Sequence, residues 1–170
     1  MQPPPPDAPT PVPEPVETIR DLRSMILNLS AEEAGIAPTP ALPTVWGVVL
    51  DIGYPEGLAT LVSLADGTTS LYLGHGGGYI GMGAHDSVRE AGERLLKQAE
   101  ASEVAFEPPS DVALPHVGQV RFYVLTHSGV VAAGAREADL RAGIGPLADL
   151  YAAAHAVITE IRLQAERQDG

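Results

Sequence analysis

The sequence predicts an α+β layer protein in which five mainly antiparallel strands are flanked by helices, in the order α-βββ-α-ββ-α. Three observations carry that expectation. Apolar residues recur at helical spacing near residues 18–29, 86–102 and 147–163. β-Branched or alternating apolar runs fill 45–52, 58–65, 68–74, 118–126 and 130–135. Turn chemistry separates neighbouring runs, most clearly at Asp66-Gly67 and at His127-Ser128-Gly129.

Residues 1–16 are rich in proline and have no apolar period. Proline removes backbone donors and favours extended chain, so a disordered, solvated tail is expected there, followed by a single domain over 17–170. Pro3-Pro4-Pro5-Pro6 also fits a PxxP ligand, as almost any proline tract does. In TIRDLRSMILNL (18–29), Ile19, Leu22, Met25, Ile26 and Leu29 fall on one helical face. Ser30 and Glu33 then form a capping-box pattern for a short second helix that stops at Gly35. Residues 36–44 read as a proline-punctuated connector.

VWGVVLDI (45–52) is a β-branched, apolar strand. Gly53-Tyr54-Pro55-Glu56-Gly57 is turn chemistry, and LATLVSLA (58–65) alternates. Asp66-Gly67 is the pair a type I′ hairpin turn prefers, and TTSLYLG (68–74) returns, closing a three-strand meander. DSVREAGERLLKQAEAS (86–102) is a helix with Val88, Ala91, Leu95 and Ala99 on its buried stripe. Ser87 and Glu90 read as its capping box, with Asp86 as a competing cap. The hairpin 118–135 follows a linker containing Pro108, Pro109 and Pro115. Residues 136–145 read as a loop, and Pro146 suits the first position of the last helix.

The chain has 170 residues, 45% of them apolar, and a formal charge of −12. A surface this acidic repels phosphate backbones and anionic lipid, so neither nucleic acid nor membrane is an expected partner. There is no cysteine, which removes disulfides and thiolate chemistry. No apolar run approaches the roughly 18 residues of a membrane span. The first residues lack the basic start and apolar core of a secretory signal, so a cytoplasmic protein is expected. No cofactor is expected.

The element order over residues 18–165 resembles the profilin-like group that includes roadblock and longin modules. Members of that group dimerise, act as scaffolds or bind ligands, so the resemblance implies an interaction or binding role.

GHGGGYIGMG (74–83) places six glycines in ten positions between a strand and a helix. Gly76-Gly77-Gly78-Tyr79-Ile80-Gly81 matches G-x-G-x-x-G. The dinucleotide fingerprint, however, follows the first strand of a parallel βαβ unit, and this segment follows an antiparallel hairpin. No Lys-Ser or Lys-Thr completes a P-loop. Asp86 would also repel an anion at the helix start. Backbone geometry is the first reading of these glycines, anion binding the second, and close approach of a partner's backbone the third. Whether the segment is a hairpin or an irregular loop is open from sequence.

Residues marked for ligand or partner contact are therefore His75, Gly76, Gly77, Gly78, Tyr79, Gly81, Met82, Gly83 and His85. Tyr79, Ile80 and Met82 would form an apolar contact patch if exposed. His75 and His85 flank the segment and, with Asp86 or Asp51, are the candidates for a metal or acid–base cluster. No histidine pair has i,i+4 spacing, so no sequence-local zinc site exists. His116, His127 and His155 carry no motif, and His155 sits beside the last helix's apolar stripe. Asp51 lies inside a strand, where the solvent face is the expectation. The favoured function is an interaction or scaffold module that self-associates as a homodimer or joins a protein partner. A regulatory domain binding a small anionic ligand through Gly74–Gly83 is second. An enzyme using His75, His85 and Asp51 is third.

Overall fold

A computed structural model describes residues 9–169. The fold is α+β, built on one open antiparallel sheet of six strands with five α-helices. The meander is β1 (Val45–Tyr54), β2 (Gly57–Leu64) and β3 (Thr69–Leu73), and the second hairpin is β5 (Gln119–Thr126) with β6 (Gly129–Arg136). A short strand that sequence reading did not foresee, β4 (Gly78–Tyr79), pairs with β3 through Leu71–Tyr79 and Tyr72–Gly78. The spatial order is β4-β3-β2-β1-β5-β6.

β1 is central, and that explains its composition. Both its faces are covered, so nearly the whole strand is apolar and buried. Its register shifts between Val45 and Gly47, a bulge that turns Trp46 toward the face opposite Val45 and Val48. β1 runs to Tyr54, so the first turn is the pair Pro55-Glu56, with Tyr54 opposite Gly57. The second turn differs from the type I′ expectation. That geometry needs positive φ at both central residues, and Asp66 does not adopt it. Instead Gly67 N–H donates to Leu64 O (3.0 Å) and Leu64 N–H to Thr68 O (2.8 Å), closing a three-residue loop.

Two helices cover one face. α3 (Asp86–Ala101) and α5 (Ala148–Asp169) pack together and onto the inner residues Val48, Leu50, Ile52, Leu61, Phe122 and Val124. The α5 stripe expected from its spacing is buried throughout. Pro146 sits two residues ahead of the helix, which begins at Ala148, with Tyr151 N–H donating to Leu147 O. The Ser87–Glu90 capping box does not form. His85 holds the cap position, and the Ser87 hydroxyl accepts from Gln164 Nε2 on α5 instead (3.0 Å). The expected loop at 136–145 contains a further short helix, α4 (Glu137–Arg141).

The other face is covered by α1 (Glu17–Asn28) and α2 (Ala31–Ala34). Ser30 caps α2 as expected, accepting from Glu33 N–H (3.1 Å) and donating to the Glu33 carboxylate (2.9 Å). The buried side of α1 is rotated from the expected one. Ile19, Arg23, Ile26 and Leu27 point inward, and Met25 is exposed. Residues 9–16 carry no helix or strand, yet Val12 and Pro15 are buried, so a solvated tail does not describe them. Val117 N–H donates to Thr10 O, and Val16 N–H donates to Gly74 O (both 2.8 Å). Residues 1–8, including the Pro3–Pro6 tract, lie outside the described residues.

The linker before β5 touches the outer side of β6 once. Glu107 and Ala132 exchange two backbone hydrogen bonds (3.1 and 2.7 Å). By strand alternation, the N–H and C=O of Val130 and Gly134 also point outward, and neither has a backbone partner among the described residues.

Candidate functional site

The glycine segment is a tight hairpin followed by a 3-10 turn (Met82–Ala84). Two of its glycines are required by close approach. A Cβ on Gly83 would stand 1.8 Å from Gly67 O, and one on Gly78 would stand 2.5 Å from Leu71 O. Four of the segment's amides are spent inside the protein. Gly74 N–H donates to Leu58 O, Gly76 N–H to Leu73 O, Gly77 N–H to His75 Nδ1 and Gly81 N–H to Ser70 Oγ. These donors are not available to cradle an anion.

The flanking histidines have separate surroundings. His75 sits at the hairpin tip, whereas His85 Nε2 lies 3.0 Å from Gln168 Nε2 near the end of α5. Asp86 pairs with Arg89 (2.6 Å). Among the described residues, no three His, Asp or Glu side chains gather as a metal site. The apolar patch also breaks up: Met82 is buried, Tyr79 is half-buried against the α3/α5 core, and Ile80 is 70% exposed.

Asp51 is not on a solvent face. It is fully buried under α1, where Arg23 Nη2 stands 2.7 Å from its Oδ2 and Thr60 Oγ1 donates to its Oδ1 (2.7 Å). Arg23 also donates to Val112 O (2.7 Å) and to the Tyr123 hydroxyl (3.3 Å). Burial, then the Asp51 charge, pushes the Tyr123 phenol up, so it stays protonated. Arg121 lies over the same ring, 5.1 Å from its centroid. Each charge in this cluster has a partner, and the arrangement pins α1 to the sheet. The signal for it was legible in principle: Arg23 occupies the i+4 position from Ile19, on the helix's own stripe, and an opposite charge sits in mid-strand.

A second polar cluster joins α4 to α5. Tyr151 donates to Glu137 Oε2 (2.5 Å), and His155 Nε2 lies 2.7 Å from the Tyr151 oxygen. Tyr151 has only one proton to give, so His155 must present Nε2–H to it, which leaves Nδ1 as its titrating nitrogen. Burial, then the bond to Glu137, raises the Tyr151 phenol well above its ordinary range. Burial lowers the His155 pKa, with Glu137 opposing that shift.

Two of the molecule's concave surfaces adjoin the apolar clusters on the two faces of the sheet. A groove of about 790 Å³ lies on the α1 side, between the α1–α2 junction with its connector and the β5–β6 turn. Leu27, Leu29, Ile36, Trp46 and Val130 give it an apolar lining, and Glu32 is its one charged residue. His127 lines it too, and the buried His127 Nε2 has no hydrogen-bond partner. A smaller cleft of about 180 Å³ lies on the opposite face between the β1–β2 turn, β3 and α5, with His75 and Arg162 among its walls. Neither left a local pattern in the sequence, because each is assembled from segments far apart in the chain.

Among the described residues, no helix is long and apolar enough to cross a membrane. No protein-family model, curated protein or solved structure matches the chain.

Proposed function

We propose that the chain is an interaction module whose α1-side groove receives an extended, apolar, non-acidic segment of a partner protein. The observation that carries this reading is the groove itself, which adjoins an open strand end. Val130 turns its unpaired N–H and C=O outward at the groove's wall, so a segment can add to β6 while its side chains enter the apolar lining. Charge selects the segment. With Glu32 in the lining and −12 on the chain, an acidic segment is repelled and a basic one attracted.

The glycine segment supports this role less well than the groove. Its strand is two residues long, and the amides of Gly74, Gly76, Gly77 and Gly81 are already occupied. The separation of His75, His85 and buried Asp51 likewise favours binding over catalysis. The likeness in element order to profilin-like modules adds support only as fold analogy.

The test is native mass spectrometry of the untagged protein from its own host, followed by hydrogen exchange on any complex. The expected result is a hetero-complex with new protection over 27–38 and 126–130, lost in Ile36→Asp without loss of fold. A persistent monomer, a homodimer, or protection confined to other surfaces would overturn the proposal.

A further inference from the structure

The geometry points to the smaller cleft as a binding site for a small carboxylic acid with a short apolar tail. This goes beyond the groove and does not depend on it. The floor is apolar, formed by Ile52, Leu58, Leu71, Leu73 and Ile158. Tyr54, His75, Arg162 and Glu56 supply the polar groups of its rim. At about 180 Å³ it lies below the roughly 300–1,000 Å³ that encloses a drug-sized ligand, so the occupant is small.

Charge identifies the head group. Arg162 is exposed and makes no ion pair with a described carboxylate. The neighbouring cation, Arg141, is already held by Glu137 (3.5 Å). Arg162 is thus the unengaged guanidinium beside an apolar floor, the combination that takes a carboxylate head and an alkyl tail together. Glu56, on the rim, opposes negative charge, and Arg162 offsets that at one position only, which restricts the ligand to one carboxylate. The Tyr54 phenol is held protonated by burial and then by Glu137, so it remains a donor for the same head group. His75 closes the cleft from the β3–β4 hairpin tip, which gives this residue a role distinct from the spent amides around it.

Hexanoate, hexanol and hexylammonium share a tail and differ in charge, so they serve as probes. Each is titrated into the full-length protein while the methyl NMR signals of Ile52, Leu71 and Ile158 are followed. Hexanoate is expected to saturate those signals and to bind about tenfold more tightly than hexanol. In Arg162→Gln that advantage is expected to vanish with the melting temperature unchanged, because the side chain is exposed. Arg121→Gln, on the other face, is expected to keep it. The inference is overturned if hexanoate shifts nothing saturably, if Arg162→Gln binds it as wild type does, or if hexylammonium binds equally well. A groove partner found or not found leaves these outcomes unaffected.

Discussion

The two faces of the sheet are held by different physics. On the α3/α5 face, alternate residues of the central strands meet two helices in a continuous apolar core. On the α1 face, the same strand β1 contributes Val49 to a smaller apolar cluster and Asp51 to a buried ion pair. An apolar face tolerates approximate fit, because burial rewards any well-filled volume. An ion pair does not, because a buried charge that loses its partner keeps its desolvation cost. The face that carries the open groove is therefore also the one whose helix is fixed at a defined point.

The sharpest way to break the contrast is to remove one charge. Asp51→Asn leaves Arg23 buried without its counter-charge and is expected to cost about 3–5 kcal/mol in urea unfolding. Adding Arg23→Met should recover much of that loss, so the double variant is more stable than Asp51→Asn alone. On the other face, Leu95→Ala is expected to cost about 2–5 kcal/mol with no second substitution that restores it. An Asp51→Asn cost under about 1 kcal/mol would show that the pair does not hold α1.

A smaller effect sharpens the reading of the glycines. Gly83→Ala forces a methyl against the Gly67 carbonyl and is expected to cost about 1–3 kcal/mol. Gly77→Ala meets only the ring of His75, an exposed side chain that can swing away, and should cost clearly less. Equal costs would mean that the close approach at Gly83 does not constrain the segment.

The smallest effect is a pH dependence at the α4–α5 cluster. Burial holds the folded-state pKa of His155 below its ordinary value of 6.5, so the unfolded chain takes the proton first. The stability from neutral His155 is complete above pH 6.5 and is lost as pH falls through the lower folded pKa. Unfolding free energies between pH 7 and pH 5 should therefore fall more steeply in wild type than in His155→Gln. Parallel slopes would rule out a contribution from this histidine.

The apolar face was the legible one. Alternation in the meander and the hairpin, with the 3.6-residue stripes of α3 and α5, is a property of neighbouring residues, and sequence displays it directly. The α1 face was read less well for a physical reason. The fate of Asp51 depends on Arg23, 28 positions away, and on Thr60 and Tyr123. Local hydropathy therefore favoured Met25 for the inward side and placed Asp51 in solvent. β4 escaped notice because two residues have no period, and α4 because a helix of five residues hardly exceeds one turn.

The bridge between Glu107 and Ala132 bears on how the protein behaves at high concentration. Residues 129–135 are a run of seven uncharged residues along an outer strand, the kind of template on which identical chains stack into fibres. The linker interrupts that template at its midpoint and sets an acidic residue there. What remains beside Val130 is long enough to accept one short strand and too short to propagate a cross-β array. One backbone bridge in an otherwise irregular linker thus divides the outer edge of the sheet into two short open stretches.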